Sequence, residues 1–249
     1  MRWFSRSARK GSKAVRLARA LSKRGAMSRS LAAEAVRAGR VRVNGKTATD
    51  PELRIDPSAD ALELDGKAVV AAEPVYLLLN KPGDVVTTRA DERGRKTVYD
   101  FLGEAGQWVF PVGRLDRESA GLLLLTNDTA LGERLTNPAS KVKKTYRVKV
   151  AGVPTAEQLE RLRAGVKLDD GYVTMPAEVE VEKENPASAW LRMAILEGKN
   201  RQIRRMVQAI GSRVDILIRV AIGPIELGDL APGAVRPLTP QELALLQGA

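Results

Sequence analysis

In the stretch "GRLDRESAGLLLLTND", Gly113 to Asp128, a carboxylate stands at the foot of a run of four leucines. Asp116 lies between Arg114 and Arg117, two residues before Glu118, and the leucines that follow have every mark of a buried strand. In water such an aspartate is an ordinary anion. At the edge of a core, burial disfavours its ionised form unless a cation stands against it, so the position calls for an arginine partner. The chain holds no histidine and no cysteine, which removes histidine general bases, thiol nucleophiles and zinc sites of the Cys/His kind. Phosphate-loop GxxxxGK[ST] and strand-linked GxGxxG fingerprints are absent as well. Carboxylates beside arginines remain as the chemical resource.

A candidate partner comes from "NRQIRRMVQAIG". Ile203, Met206, Val207 and Ile210 recur at helical spacing and define one apolar stripe. At about 100° per residue, Arg204 falls on the flank of that stripe and Arg205 roughly opposite, toward solvent. Arg204 is thus placed to reach inward at the boundary of the core. In "KTYRVKV", strand alternation sets Tyr146, Val148 and Val150 on one face and Thr145, Arg147 and Lys149 on the other. Periodicity alone makes Tyr146 a core aromatic. Asp116, Glu118 and Asp128 would also suit a Mg²⁺-dependent nuclease, against which stands the crowding of the same segment by Arg114 and Arg117.

These side chains must be held by the elements around them. From Pro74 onward, apolar strands such as "VYLLLN", "GLLLLT", "TYRVKV" and "WLRMAIL" are separated by turns. Helices are interleaved: "TALGERL" behind Asp128 as N-cap, "TAEQLERLRAG" ending at Gly165, and "NRQIRRMVQAIG" ending at Gly211. Strands and helices in no regular alternation predict an α+β domain with a largely antiparallel sheet.

The N-terminal part has a different texture. "VRLARALSKRG" predicts a helix closed by Gly25, and "SLAAEAVRAG" a second one opening at Ser30 as N-cap and closing at Gly39. "RVRVNGKTA" then predicts a hairpin turning at Asn44-Gly45, with a further turn at Asp65-Gly66. Residues 1–50 hold 14 Lys/Arg against Glu34 and Asp50 alone, whereas the other 27 basic and 28 acidic residues nearly cancel. Most of the formal charge of +11 therefore sits in this part, which points it at a polyanion, nucleic acid first. No run approaches the ~20 apolar residues of a membrane span, and "MRWFSRSARKGSK" lacks the apolar segment of a secretory signal. A soluble, cytoplasmic protein is expected, with a disordered basic arm over 1–13.

Residues 14–72, with "RLARALSKRGAMSRSLAAEAVRAGRVRVNGK", resemble the S4 RNA-binding domain. That likeness implies an RNA contact face carrying Arg16, Lys23, Arg24, Arg29, Arg40 and Arg42. Behind it, "LLLNKPGDVVTT", "GRKTV", "FPVGRLDRESAGLLLLTND", "KVKKTYRVKV" and "LEGKNRQIRRM" follow in the order found in pseudouridine synthases of the small-subunit/large-subunit ribosomal RNA type, which the chain resembles from residue 14 to about 240. The resemblance makes residues 73–249 the catalytic domain and Asp116 the nucleophile. It implies that Tyr146 packs on the target base and handles a proton at C5, and that Arg204 pairs with the catalytic carboxylate. It also implies that Arg114 fills the space left by an extruded nucleotide. No metal, redox cofactor or ATP is implied. The expected partner is ribosomal RNA. "EGKNRQIRRM", at Asn200 and Arg201, favours the large subunit (23S), with the small subunit (16S) or a non-catalytic role in ribosome assembly as alternatives. A monomer is expected.

Overall fold

The computed structural model describes residues 14–70, 72–103 and 109–248. The expected basic arm over 1–13 lies outside these described residues. The chain divides into two compact units, the first running to Pro74 and the second from Val75, two residues beyond the boundary expected from sequence.

In the first unit, β1 (Val15–Arg16) leads into α1 (Leu17–Lys23) and α2 (Arg29–Arg37). There follow β2 (Val41–Val43), β3 (Lys46–Ala48), β4 (Arg54–Ile55), β5 (Leu62–Leu64) and β6 (Lys67–Ala68). β3, β2, β5 and β6 form one small sheet and β1 pairs with β4. Leu17, Leu21, Ala32, Val36, Val41 and Leu62 belong to its core. Both predicted turns are made by two successive residues at positive φ, Asn44 and Gly45 (51° and 76°) and Asp65 and Gly66 (50° and 77°), the backbone form whose twist matches a hairpin. The cap of α2 differs from expectation. Ser28, not Ser30, accepts the Leu31 N–H at 3.3 Å, and Ser30 lies within the first turn, one residue after Arg29, with its hydroxyl on that of Ser28.

The second unit is an α+β domain. Its elements are β7 (Tyr76–Lys81), β8 (Phe110–Pro111), β9 (Ala120–Thr126), α3 (Thr129–Thr136), β10 (Lys144–Ala151), α4 (Ala156–Ala164), β11 (Glu178–Asn185), β12 (Ser188–Ile195), α5 (Gln202–Ala209), β13 (Val214–Ile222), β14 (Ile225–Glu226), β15 (Val235–Pro237) and α6 (Pro240–Gly248). They build a nine-stranded sheet in the order β11-β12-β10-β13-β9-β7-β15, with β14 beside β13 and β8 beside β9. Its pairings are antiparallel save one, β9 with β13, which is parallel.

The leucine run is explained by this topology. Leu122 and Leu124 enter one core with α3 and α6 residues, while Leu123 and Leu125 enter another on the opposite face. A strand covered on both faces needs no polar alternation, and each buried leucine stabilises by roughly 1.5–3 kcal/mol. Where β9 crosses β13 the backbones approach so closely that a Cβ on Gly121 (φ 102°) would lie 2.2 Å from the Arg219 carbonyl oxygen. Only glycine fits there. A third core joins α4 and α5 to β10–β13 through Val148, Leu162, Leu191, Met193 and Met206.

Candidate active site

Asp116 lies in the turn that feeds β9, its side chain about a third exposed at the rim of a 390 Å³ cavity. The turn is fixed from several sides. Ser119 N–H donates to Asp116 O at 3.0 Å, the Thr87 hydroxyl donates to Leu115 O at 2.8 Å, and Leu115 itself is buried. Beneath it the Lys81 ammonium, fully buried, donates to Ser119 O at 2.6 Å and Arg117 O at 3.2 Å.

Tyr146 lines the same cavity from β10. It is half-buried and packs against two of the three cores, on the face of Val148 and Val150 as strand alternation requires. Its cross-strand neighbour is Arg219 of β13. Arg219 is 5 % exposed, lines the cavity and donates from Nε to Leu122 O at 2.8 Å. Its Nη2 finds no partner among the described residues. Ile195, Leu217 and Ile222 add apolar wall, so the cavity offers a planar aromatic face and greasy sides with a carboxylate at the edge. Arg114 is exposed at its mouth.

The arginines are arranged differently from the simplest sequence expectation. Arg201 precedes α5 with a left-handed backbone, φ 48°, which brings its guanidinium over the Asp116 turn. Its Nη1 lies 3.9 Å from Asp116 Oδ2 and its Nη2 3.2 Å from Glu118 Oε2. Arg204 reaches the same turn two residues further along, with Nη2 at 3.4 Å from Glu118 O and 3.8 Å from Glu118 Oε2, and Nη1 at 3.3 Å from Val214 O. Arg204 thus grips the segment that carries Asp116 rather than the Asp116 carboxylate itself. The Arg201 hydrogen bond and charge, then the Arg204 charge, hold Glu118 below the usual carboxylate range. Burial pulls Arg204 below the usual arginine value, opposed by Glu118. Arg205, expected in solvent, is 17 % exposed because Asp169 and Asp170 cover it with ion pairs.

The loop that presents Arg201 has its own anchor. Glu197 is buried and accepts from Gln202 Nε2 at 2.6 Å, the Tyr172 hydroxyl at 2.5 Å and Met175 N–H at 2.9 Å. Asp128 is used elsewhere: it caps α3, accepting from Ala130 and Leu131 N–H groups and from the Tyr76 hydroxyl. The grouping of Asp116, Glu118 and Asp128 around a magnesium ion is therefore not formed.

In the first unit, Lys23, Arg29 and Arg42 are exposed. Arg24 spends its guanidinium on the carbonyls of Pro57, Asp60 and Val69, Arg40 makes a two-pronged pair with Asp65, and Arg16 pairs with Glu52 at 2.8 Å. Sequence reasoning passed over Lys81, Arg201 as a neighbour of Asp116, Arg219 and Glu197. By sequence Lys81 falls with Pro82-Gly83 in the turn after "VYLLLN", and alternation in "VDILIRVAI" is the one available hint at Arg219.

An aromatic wall, apolar sides and a carboxylate braced by arginines suit chemistry on a flat heterocycle withdrawn from its stack. Residues 75–209 match the family model described as RNA pseudouridylate synthase, and residues 15–60 match that of the S4 domain. The chain belongs to the RNA pseudouridylate synthase family, enzymes that isomerise uridine to pseudouridine within RNA. It is 40% identical over 235 residues to ribosomal large subunit pseudouridine synthase B of Bacillus subtilis (strain 168), covering 93% of this chain and 95% of that one. It is 43% identical to ribosomal large subunit pseudouridine synthase E of Vibrio vulnificus (strain CMCP6), over 69% of this chain and 78% of the other. A crystal structure of a pseudouridylate synthase superposes with a TM-score of 0.69 at 29% identity, over 93% of this chain and 99% of that one. Among the described residues no helix is long and apolar enough to cross a membrane.

Proposed function

We propose that this protein converts a uridine of large-subunit (23S) ribosomal RNA to pseudouridine, with Asp116 as the reacting carboxylate. The observation that carries the reading is the placement of Asp116 at the rim of the cavity walled by Tyr146, on a turn braced by Arg201 and Arg204. Likeness to synthases named for the large subunit, over nearly the full length in one case, supports the choice of RNA. The same reading takes the protein as a monomer, and a ribosomal RNA substrate fits work in the cytoplasm.

The reaction is an isomerisation. The C1′–N1 bond breaks, the uracil turns, C1′–C5 forms, the C5 proton leaves and N1 regains one. A carboxylate serves this by adding to C6, by capturing C1′ or by removing a ribose proton. Tyr146 presents a ring face to the flipped base and a hydroxyl for proton transfer, and Arg114 at the mouth occupies the vacated stack. The charged side chains of the S4 domain, Lys23, Arg29 and Arg42 among them, grip the RNA phosphates.

Asp116→Asn keeps shape and removes charge, so it should fold, bind RNA and form no pseudouridine. Carbodiimide-dependent reverse-transcription stops on incubated large- and small-subunit transcripts read the outcome. Turnover by Asp116→Asn of even a few per cent of wild type would reject the carboxylate. A stop on the small-subunit transcript alone would move the target to 16S RNA, and none on either would favour a non-catalytic assembly role.

A further inference from the structure

A second cavity, of about 480 Å³, meets the first at the Asp116 turn, where Arg114, Leu115, Asp116 and Arg201 line both. Beyond that shared edge the linings differ. The first continues into Tyr146, Ile195, Leu217 and Ile222; the second continues into Arg93, Arg95 and Arg117, with Asp91 and Glu92. Its five arginines against three acids leave an excess of two. That equals the whole excess of residues 73–249, which hold 25 Lys/Arg against 23 Asp/Glu.

The acids do not neutralise these arginines evenly. Asp91 is taken by Arg95, whose Nη2 donates to Oδ1 at 2.6 Å, and by the N–H groups of Arg93 and Arg95 at 3.1 and 3.0 Å. The loop thus closes around Asp91 and leaves the Arg93 side chain outside the pair. Arg117 reaches Asp84 only at 3.6 Å, with 48% of its side chain exposed. Among the described residues Arg93 and Arg114 have no carboxylate partner. A concave surface lined by one sign of charge collects counter-ions, and the guanidinium fork matches the oxygens of a phosphate.

We propose that this second cavity seats the RNA phosphates next to the target uridine, with Arg93 and Arg117 as the groups that hold them. The inference rests on the reading of Asp116 as the reacting carboxylate on a uridine within RNA. A nucleotide carries its base at C1′ of the ribose and its phosphates at O3′ and O5′. With the base against Tyr146 in the first cavity and the ribose at Asp116, the backbone adjoins the charged lining that begins at the same edge. Arg95, already spent on Asp91, braces the loop that presents Arg93. Phosphate contacts of this kind fix the register of the RNA on the protein and carry no base identity.

The experiment measures retention of a large-subunit ribosomal RNA transcript by the full chain on filters from about 0.05 to 0.3 M salt, with pseudouridine formation read on the same transcript. Arg93→Ala and Arg117→Ala should each weaken binding about three- to tenfold at about 0.1 M salt and flatten its log-log salt dependence by roughly 0.7 to 0.9. The double variant should flatten it by about twice as much. Arg93→Lys keeps the charge and should keep the slope. Arg213→Ala removes an exposed arginine of the same unit outside the cavity and should bind as wild type does. A double variant with the affinity and slope of wild type overturns the proposal, as does an equal effect of Arg213→Ala. Weaker binding at an unchanged slope also overturns it, since the arginines would then meet bases or sugars instead of phosphates. Should wild type form no pseudouridine, the reading of Asp116 fails by itself; retention needs no turnover and still decides the phosphate site.

Discussion

Arg204 and Arg205 are adjacent in sequence and engaged with different parts of the molecule. Arg204 bridges the Val214 carbonyl of β13 to the Glu118 carbonyl and carboxylate in the turn of Asp116; Arg205 pairs with the exposed Asp169 and Asp170. Arg204→Ala should therefore slow turnover about 100-fold, a barrier change of ~2.7 kcal/mol, through a displaced Asp116. Arg205→Ala should stay within about threefold, since pairs with exposed partners contribute about 0–1 kcal/mol. Equal losses of kcat at the two positions would contradict this geometry. For Tyr146, Phe preserves the ring face that lines the cavity and removes the hydroxyl. Tyr146→Phe should bind RNA as wild type does and turn over slowly, and a fully active variant would restrict the residue to packing.

The parallel contact of β9 with β13 joins the strand that follows Asp116 to the strand that carries Arg219. Gly121→Ala would drive a methyl into the Arg219 backbone at a positive φ, which should cost about 3 kcal/mol or more and show as a lower urea midpoint with loss of activity. At the other end of the sheet, α6 is tied down by Arg236, whose two nitrogens meet the Glu242 oxygens at 2.6 and 2.8 Å. The Arg236 hydrogen bonds bring Glu242 from 4.5 to about 2. Because the folded value is the lower one, this pair stabilises fully above about pH 4.5 and loses its contribution as pH falls toward 2. Allowing for partial exposure, Glu242→Gln should cost about 1 kcal/mol at pH 7. The gap between wild type and variant should narrow by pH 3, which urea titrations at the two pH values would show.

Charge divides the chain as the cores do. Residues 1–72 carry 16 Lys/Arg against 7 Asp/Glu, and the remainder 25 against 23. The second unit has cores of its own and contributes Asp116, Tyr146 and Arg204, so deleting residues 1–72 should leave a folded domain whose affinity suffers more than its chemistry. If the S4 domain neutralises roughly three to five phosphates, the log-log dependence of RNA affinity on salt should flatten by roughly 2 to 4. Single-turnover rates at saturating RNA should stay within about tenfold. An unchanged salt slope would return the N-terminal charge to a solubilising role.

Short-range patterns made much of this legible in the sequence. Turn chemistry placed the Asn44-Gly45 and Asp65-Gly66 hairpins, capping placed α3 behind Asp128, and the leucine run beside an aspartate pointed to Asp116 as a carboxylate at the edge of a core. Periodicity also set Arg204 on the flank of α5. What stands opposite each side chain was a different matter, because it depends on which distant segments the sheet brings together. Arg201 meets Glu118 across 83 positions, Arg204 meets the Glu118 carbonyl across 86, and Lys81 meets Ser119 across 38. A helical wheel gives the direction of a side chain from its own axis and nothing about its target. The pairing of β7, β9 and β13 sets those targets: it put Lys81 under the turn, Arg201 over Asp116 and Arg204 on the backbone between them.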